Sequence, residues 1–337
     1  MQRHITRWLL VAAITFSCFV IWAQTARQVA QVSITVSDLD KIVPFYEAVL
    51  NFKKVNEYEL QCNKLQQLFG IHDSKLAMKA VQLQLGDEMI ELLEFETSHE
   101  ERAIPADSRS NDLWFQHIAI VVSDMERVYE RLRKFNVQHV STAPQTLPPN
   151  LPAAAGISAF YFRDPDGHNL EVIGFPADKG NPKWHQPTRQ LFLGIDHTAI
   201  GIKDTKMQLK FYQDLLGLKI GGHSENYGTE QEHLNQVFGA HLLITGLQAQ
   251  EGFGVEFLDY LAPPGGRAYP SDSKVTDLWH WHTNIRVSDI EQVYKRLQDA
   301  DCQFISNGIV NIEIPSLHTT KAFLVRDFDG HAVLIFE

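Results

Sequence analysis

Stretches in which apolar and polar residues alternate recur along the chain, and the first of them is followed by apolar residues at helical spacing. Residues 31–36 alternate, Ser37 and Asp38 suit a helix N-cap, and the helical face that follows carries Ile42, Phe45, Tyr46 and Val49. Further strands are predicted near residues 52–59, 78–86 and 88–95. The predicted unit is therefore strand, helix, strand, strand, strand.

The same order of elements starts again at His117. A strand over 117–124 precedes a helix with Met125, Val128, Tyr129 and Leu132 on one face, and further strands are predicted near 137–142, 157–163 and 168–174. Four such units begin near Gln31, His117, His197 and His282. Four βαβββ modules of this kind predict an α+β fold.

The chain also contains an internal repeat. Residues 105–117 closely resemble residues 270–282, and the hexapeptide that ends at His168 resembles the one that ends at His331. The segment between the copies, 177–192, is polar and contains Pro182 and Pro187, as expected of a linker. We therefore predict two domains, residues 30–176 and residues 193–337.

Composition and charge narrow the class of partner. Hydrophobic residues make up 44% of the 337 residues and charged residues 21%, which is typical of a globular protein. The formal net charge is -11, so binding to nucleic-acid phosphate or to an anionic lipid surface is not expected. A small molecule or another protein is the expected partner, and the chain is expected to be a monomer or a homodimer.

Residues 1–23 have the layout of a secretory signal, with Arg3 and Arg7 ahead of an uncharged apolar run that ends at Ala23. Cleavage after Ala23 or Ala26 would release an exported protein, periplasmic or secreted. An uncleaved segment would instead anchor it to the membrane by its N-terminus. Cys18 lies inside this segment, and the other two cysteines, Cys62 and Cys302, fall in different halves and are expected to be unpaired.

Histidine and glutamate recur at equivalent positions of the units. His117, His197 and His282 open first strands, whereas Glu91, Glu171 and Glu256 lie in final strands. Side chains alternate along a strand, so Ala119 lies beside His117 and Ala199 beside His197 on the same face, which leaves room for a ligand. A single such histidine is usually structural, but the recurrence favours a site for a divalent metal such as Zn, Fe, Mn or Ni.

These motifs together resemble the vicinal oxygen chelate superfamily, which includes glyoxalases, bleomycin-resistance proteins and extradiol dioxygenases. The resemblance rests on the tandem units, on His-Ile-Ala-Ile-Val-Val-Ser-Asp from His117, on Met-Ile-Glu-Leu-Leu-Glu-Phe around Glu91, and on the Asp-Pro-Asp-Gly-His turn before Glu171. In that family two units form one cup. The resemblance thus implies two cupped eight-stranded mixed sheets with helices on their outer faces.

The resemblance also implies which residues point into the cups. The four units supply Gln31 with Glu91, His117 with Glu171, His197 with Glu256, and His282 with Leu334. Leu334 is a departure, because the family motif has Glu there. If units pair within each repeat, neither half supplies the two-His-one-Glu triad of extradiol dioxygenases. The first half then has Gln31, Glu91, His117 and Glu171, a set similar to that of glyoxalases that use an amide oxygen, and the second has His197, Glu256 and His282 without the last Glu. If units two and three pair instead, one cup receives His117, Glu171, His197 and Glu256, and the sequence leaves both pairings open.

The implied activity is that of a glyoxalase-like isomerase or lyase. In such a mechanism a metal binds two adjacent oxygens of the substrate and stabilises an enediolate while a glutamate moves the proton. Glu171 is the first candidate for that base and Glu256 the second. The alternatives are an extradiol-type ring-cleaving dioxygenase and a non-catalytic small-molecule binder similar to bleomycin-resistance proteins. An exported protein would not meet glutathione as an abundant co-substrate.

Overall fold

A computed structural model describes residues 25–98 and 101–337. The predicted signal segment, residues 1–23 with Cys18, lies outside the described residues. The strands of the first half are β1 (Ala26–Thr35), β2 (Lys53–Leu60), β3 (Ala77–Leu85), β4 (Glu88–Glu96), β5 (Phe115–Val122), β6 (Gln138–His139), β7 (Gln145–Thr146), β8 (Ser158–Arg163) and β9 (Asn169–Gly174). Those of the second half are β10 (Phe192–Ile202), β11 (Lys219–Tyr227), β12 (His241–Gln248), β13 (Glu251–Gly252), β14 (Gly254–Ala262), β15 (Trp281–Val287), β16 (Val310–Ile314), β17 (Thr319–Arg326) and β18 (Ala332–Phe336).

The α-helices of the described chain are α1 (Leu39–Leu50), α2 (Asn63–Phe69), α3 (Met125–Lys134), α4 (Thr205–Leu209), α5 (Thr229–Asn235) and α6 (Ile290–Asp299). A π-helical turn over Lys210–Leu215 continues α4, and short 3-10 helices lie at Pro182–His185 and Pro315–Leu317. The strand predicted at 137–142 is reduced to two residues, β6. Helices α2 and α5 were not predicted, and they lie between the second and third strands of their units.

An aspartate begins the helix that follows the first strand of every unit. Asp38, Asp124, Asp204 and Asp289 all have extended backbone, and each side chain accepts a hydrogen bond from a backbone N–H of the first helical turn. Such a cap contributes about 1 kcal/mol to helix stability. The same short sequence signal therefore starts a helix at the same place in all four units.

The strands form two mixed sheets, which confirms the predicted fold class. In the first sheet the order is β16-β17-β18-β15-β1-β4-β3-β2, and the short strand β13 pairs with β1. In the second sheet the order is β11-β12-β14-β10-β5-β9-β8-β6, and β7 pairs with β8. At the centre of each sheet two first strands run antiparallel, β1 beside β15 and β5 beside β10.

This strand order resolves how the units pair. Units one and four form the first sheet, and units two and three form the second. Each predicted domain range, 30–176 and 193–337, thus contributes one unit to each sheet. We call the concave face of the first sheet the 1/4 cup and that of the second the 2/3 cup.

The largest apolar core lies on the outer faces of the sheets. It contains Ile42 of α1, Val128 of α3 and Val293 of α6, together with strand residues of both sheets. Helix α2 lies instead in the 1/4 cup, where Leu65, Leu68 and Phe69 join a separate apolar cluster. The cups therefore have their own lining, distinct from the core that joins the two sheets.

Polar turns also tie the sheets together. Asp164 accepts hydrogen bonds from the Tyr46 hydroxyl at 3.2 Å and pairs with the His168 ring at 2.8 Å. In the second repeat, Asp327 has the equivalent partners: it accepts a hydrogen bond from the Tyr212 hydroxyl at 3.1 Å and pairs with the His331 ring at 2.8 Å. Because Tyr46 on α1 belongs to unit one and the turn with Asp164 belongs to unit two, this repeated motif holds units of different sheets in contact.

Two further observations concern the cysteines and the question of membrane-spanning helices. Cys62 is exposed and Cys302 is buried, and both are free, as predicted. No helix among residues 25–98 and 101–337 is long and apolar enough to cross a bilayer.

Candidate metal site in the 2/3 cup

The register of the central strands places four chemically active side chains in two adjacent rows. In one row Ala199 of β10 lies between His117 of β5 and Glu256 of β14. In the next row Ala119 lies opposite His197 and beside Glu171. The arrangement is a pseudo-twofold one, since each unit supplies one histidine, one glutamate and one alanine. The alanines leave the space into which the larger side chains converge.

The polar atoms of these side chains are in contact. Nε2 of His117 lies 3.3 Å from Nε2 of His197 and 3.0 Å from Oε2 of Glu171. The same Glu171 oxygen lies 3.7 Å from Nε2 of His197. His117, Glu171 and His197 are all buried, and their ligand atoms lie within 4.8 Å of one another. Among the described residues no other group of three His, Cys, Asp or Glu side chains comes so close.

Glu256 completes the set on the other side of His197. Its Oε1 lies 3.5 Å from Nε2 of His197, and it is the more exposed of the two carboxylates. The cross-repeat pairing thus brings together His117, Glu171, His197 and Glu256, the combination that was expected to be complete.

Two β-bulges orient the imidazoles. The register between β5 and β10 skips Gln116 on one strand and Asp196 on the other, so each bulged residue directly precedes a histidine. Oδ2 of Asp196 lies 3.0 Å from Nδ1 of His197, and Oε1 of Gln116 contacts Nδ1 of His117. In a regular strand the side chains of consecutive residues point to opposite faces. At these bulges the side chain of the extra residue, Gln116 or Asp196, turns toward the histidine that follows it. The Nε2 atoms are thereby directed at each other.

The electrostatics of the cluster favour positive charge. Burial alone would lower the pKa of His197, but the neighbouring carboxylates, Glu256 first among them, outweigh it and raise the pKa to about 10. Burial raises the pKa of Glu256. Burial alone would raise the pKa of Asp196, but the hydrogen bond and the charge attraction from His197 outweigh burial, and the pKa of Asp196 is lowered. A cation at this point would offset the desolvation of the buried carboxylates.

Two cavities meet at this cluster. The inner one, about 100 Å³, is bordered by Glu171, His197 and Glu256 and otherwise mostly by small or apolar side chains. The outer one, about 310 Å³, is bordered by His197 and Glu256 and by Asp196, Lys183 and Trp184. His197 and Glu256 therefore lie between a smaller, more apolar cavity and a larger, more polar one.

Besides Gln116, sequence reasoning missed three side chains of this site. Tyr161 lies opposite Glu171 in the register, and its ring centre is 5.0 Å from that of His117. Asp196 orients His197, and Gln231 of α5 lines the inner cavity. The only signal for Asp196 was its position directly before a candidate histidine. Tyr161 and Gln231 come from elements whose place over the cup depends on strand pairing.

The 1/4 cup holds the remaining candidates in a different way. Oε1 of Glu91 accepts a hydrogen bond from Tyr58 at 2.7 Å, and Oε2 accepts from Ser33 at 2.8 Å and from Gln31 at 3.1 Å. Oε1 of Gln31 in turn accepts from Gln82 at 2.7 Å. Burial raises the pKa of Glu91. Its carboxyl group is thus satisfied by neutral donors.

His282 and Leu334 complete this cup without a second carboxylate. Burial lowers the pKa of His282 to about 3, so the ring is neutral, and its Nδ1 lies 3.3 Å from Nε2 of His280. Leu334 packs in the apolar cluster with Phe69. Glu337, three residues later, accepts a hydrogen bond from the backbone N–H of Ile290 at the start of α6. As metal ligands, Gln31, Glu91 and His282 stay predictions.

The donor set of the 2/3 cup suits a divalent transition metal. Two imidazole nitrogens and a carboxylate oxygen converge, a second carboxylate is adjacent, and Zn, Fe, Mn and Ni all accept such ligands. Carboxylate and amide groups behind the two imidazoles fix the ring orientation, as is usual for metal-binding histidines. The residues present therefore fit the metal that the sequence led us to expect.

Fold and site together define a class: proteins in which paired βαβββ units form cups whose central strands offer nitrogen and oxygen ligands. The family model of the Glyoxalase/Bleomycin resistance protein/Dioxygenase superfamily matches residues 28–172 and again 194–334. The chain belongs to this superfamily. The two matches agree with the internal repeat.

Solved structures share the whole two-cup arrangement. Glyoxalase I from Zea mays is 15% identical, with a TM-score of 0.59 over 93% of this chain and 92% of that one. A mutant of the maize enzyme reaches 0.60 at the same identity and coverage. A putative dioxygenase from Bacillus subtilis is 14% identical, with a TM-score of 0.58 over 93% of this chain and 86% of that one. At these identities the likeness extends to the fold alone. No curated protein sequence matches the chain.

Proposed function

We propose that the protein is a divalent-metal-dependent enzyme that acts on a small substrate with two adjacent oxygens, in a glyoxalase-like isomerase or lyase reaction. The observation that carries the proposal is the convergence of His117, Glu171 and His197 within 4.8 Å, with Glu256 beside them, at the border of a cavity of about 100 Å³. Both maize glyoxalase I and this chain have the same fold, which is consistent with the proposal.

The residues divide into two roles. His117, His197 and Glu171 would hold the ion, since Glu171 contacts both imidazoles at 3.0 and 3.7 Å. A bound divalent ion supplies a Lewis acid for the two substrate oxygens.

Glu256 is the better candidate for the proton-transferring base, although Glu171 was the first expectation. Glu256 borders both cavities and contacts only one imidazole, so it is free to face a substrate, and burial raises its pKa.

The test begins with elemental analysis of protein purified without chelators or a metal-affinity resin. About one divalent ion per chain is expected. Glu171→Gln should lower metal content, whereas Glu256→Gln should retain the ion and lose turnover by two or more orders of magnitude. Glu91→Gln is the matched control, because Glu91 is the equivalent buried glutamate of the 1/4 cup. It should change neither the metal content nor the turnover.

Turnover is assayed with 2-oxoaldehydes, with and without glutathione, and with α-hydroxyketones. Metal-free native protein that binds these compounds without converting them would contradict the proposal and favour a binding protein similar to bleomycin-resistance proteins. Equal loss of metal in Glu171→Gln and Glu91→Gln would contradict the assignment of the ion to the 2/3 cup.

A ring-cleaving dioxygenase is the second candidate. The close group contains two histidines and one carboxylate, the ligand set of non-haem Fe(II) oxygenases, and the Bacillus subtilis protein of similar fold is described as a putative dioxygenase. Dioxygen uptake by Fe(II)-loaded protein with catechol decides between the two.

We also propose that the protein is exported through residues 1–23 and works outside the cytoplasm. The basic start and the uncharged apolar run of that segment support the proposal. Fractionation of the native host, with antibody detection of the protein, tests it. Recovery in the cytoplasmic fraction at full length would contradict it.

A further inference from the structure

In each unit one residue lies directly opposite the glutamate position of the final strand, on the antiparallel strand before it. The final-strand positions are Glu91, Glu171, Glu256 and Leu334, and the residues opposite them are Gln82, Tyr161, Gly246 and Leu324 in the same order. Residues paired in this way point to the same face of the sheet, with their Cβ atoms about 5 Å apart. Only the third unit has no side chain at this place.

In the other three units the equivalent side chain fills its part of the cup. Gln82 is buried and donates a hydrogen bond to Gln31 at 2.7 Å. Tyr161 is buried with its ring centre 5.0 Å from that of His117. Leu324 is buried in the apolar cluster of the 1/4 cup. A side chain opposite the glutamate position therefore closes the space beside it.

The space at Gly246 stays open. A Cβ at this residue would have the carbonyl oxygen of Gly222 as its nearest neighbour outside the adjoining chain, at 4.0 Å. Gly246 also borders the outer cavity of about 310 Å³, together with His197 and Glu256. The missing side chain thus leaves room next to the candidate metal ligands, on the side of the outer cavity.

Strand β12 leads from one cavity to the other. Alternate residues of a strand share a face, and on this face Leu242 and Ile244 border the inner cavity, whereas Gly246 and Gln248 border the outer one. Both cavities are partly open, so they fix where the arm of a bound molecule lies and not how long it is. A molecule held at the candidate metal ligands can extend past Gly246 without a steric clash.

Polar side chains border the outer cavity beyond Gly246. Gln248 is exposed there, and Lys183 reaches the same cavity from the linker. The Lys183 ammonium is paired with Glu88 and lies 4.2 Å from the centre of the Trp184 ring, so it is held in place. An ammonium group has three N–H donors, and the pair with Glu88 leaves others for a ligand. The outer cavity therefore suits the polar part of a substrate.

We propose that Gly246 determines substrate specificity, because its missing side chain admits a polar arm of the substrate into the outer cavity, where Gln248 and Lys183 bind it. This inference rests on the proposed function and narrows its substrate class. The substrates are compounds whose two adjacent oxygens carry a polar arm of roughly four atoms or more, since neighbouring strands such as those of Glu256 and Gly246 lie about 4.8 Å apart.

The first test compares two hydroxamates, which chelate divalent ions through two adjacent oxygens. N-acetylglycine hydroxamate is acetohydroxamate with an acetamido group on its methyl carbon. Isothermal titration of wild-type protein, loaded with the ion found by elemental analysis, should show about five- to tenfold tighter binding of N-acetylglycine hydroxamate. Gly246→Val should abolish this preference and bind acetohydroxamate as tightly as wild type, because valine fills only the path of the arm.

Gly222→Val is the matched control. Gly222 lies opposite Gly246 on the edge strand β11, and a Cβ there has no atom of the described chain within 4 Å apart from its chain neighbours. It is not among the residues that border the outer cavity, so this variant should keep the preference. Wild-type protein should also bind 4-methylpentanohydroxamate, which has an apolar arm of the same shape, more weakly than N-acetylglycine hydroxamate.

The outcomes separate the two levels of the proposal. If wild-type protein binds acetohydroxamate but gains nothing from the acetamido arm, or if Gly246→Val keeps the preference, the role of Gly246 is overturned while the metal site stands. Equal or tighter binding of 4-methylpentanohydroxamate would overturn the polar substrate class. If none of the hydroxamates binds to wild-type protein, the proposed function fails and the specificity proposal falls with it.

A second measurement needs no metal. Glycine within a strand is unfavourable and valine is favourable, so Gly246→Val should melt at or above the temperature of wild type in the absence of hydroxamate. Gly222→Val again serves as the control. A melting temperature of Gly246→Val well below those of wild type and Gly222→Val would show that the fold itself requires this glycine, and would overturn the proposal.

Discussion

His117 and His197 are 80 positions apart in the chain, yet their Nε2 atoms lie 3.3 Å from each other. The contact exists because β5 and β10, the first strands of units two and three, are antiparallel neighbours at the centre of the second sheet. Each histidine lies opposite an alanine of the other strand, Ala199 or Ala119. The candidate metal site therefore lies where the two repeats meet, at the pairing of β5 with β10, and the predictions below test this contact and its surroundings.

Removal of the carboxylate behind His197 should weaken metal binding without unfolding the protein. Asp196 orients the ring through Nδ1, and loss of such a partner typically costs 10- to 100-fold in metal affinity. Asp196→Ala is measured by competition with a chromophoric chelator. Trp184→Phe keeps the Asp196 carboxylate but removes the indole N–H that donates to it, and should have a smaller effect. Asp178→Ala, an exposed aspartate of the linker, serves as control, and an equal loss there would contradict the prediction.

Restoring the family glutamate in the 1/4 cup should not create a second metal site. Leu334 is 2% exposed in an apolar cluster, and Glu91 is already hydrogen-bonded to Tyr58 and Ser33. Leu334→Glu would bury an unpaired carboxylate and should cost about 3 to 5 kcal/mol of unfolding free energy. Urea denaturation and elemental analysis measure the two effects, with Leu334→Met as the size control. A second equivalent of bound metal in Leu334→Glu would contradict the prediction, because it would show that this one substitution is enough to give the 1/4 cup a metal site.

The buried pair of His168 and Asp164 predicts a pH-dependent contribution to stability. Burial works against a charged ring, but Asp164 outweighs it and raises the pKa of His168 above its ordinary value of 6.5. Because the folded-state pKa is higher than the unfolded one, the contribution is fully present below about pH 6.5 and is lost as the pH rises through the raised value.

Urea denaturation of wild type and His168→Gln over a pH series measures this contribution. The gap in unfolding free energy between the two should be largest in mild acid and narrow toward alkaline pH. His72→Gln, at an exposed histidine, should show no such gap. A gap that widens with rising pH would mean that the ring is neutral in the folded protein.

If the proposed signal segment is cleaved, the mature N-terminus should be Gln24 rather than Arg27. Both predicted cleavage points follow an alanine, but Thr25 and Ala26 are part of the fold. The Thr25 hydroxyl donates to the carbonyl of Leu216 at 2.7 Å and accepts from Arg296 at 3.1 Å, and the Ala26 N–H donates to the same carbonyl at 3.0 Å. Intact-mass analysis of the exported protein decides. A chain that begins at Arg27 would show that these contacts are dispensable.

Much of this architecture follows from local sequence. The alternating strands, the aspartate caps such as Asp38 and the recurring His and Glu positions each depend on a few neighbouring residues, and repetition in four units makes them recognisable. The two cupped sheets followed from the resemblance that those residues established.

Tertiary structure decided which of these residues meet. Each of the four units begins with a first strand that could pair with the first strand of another unit. Whether units pair within or between repeats therefore depends on the packing of whole units and not on a local motif. The pairing of units two and three placed His117 and Glu171 against His197 and Glu256. The pairing of units one and four left Glu91 among neutral donors. The bulges at Gln116 and Asp196 depend in the same way on partners far apart in sequence, because strand register is a long-range property.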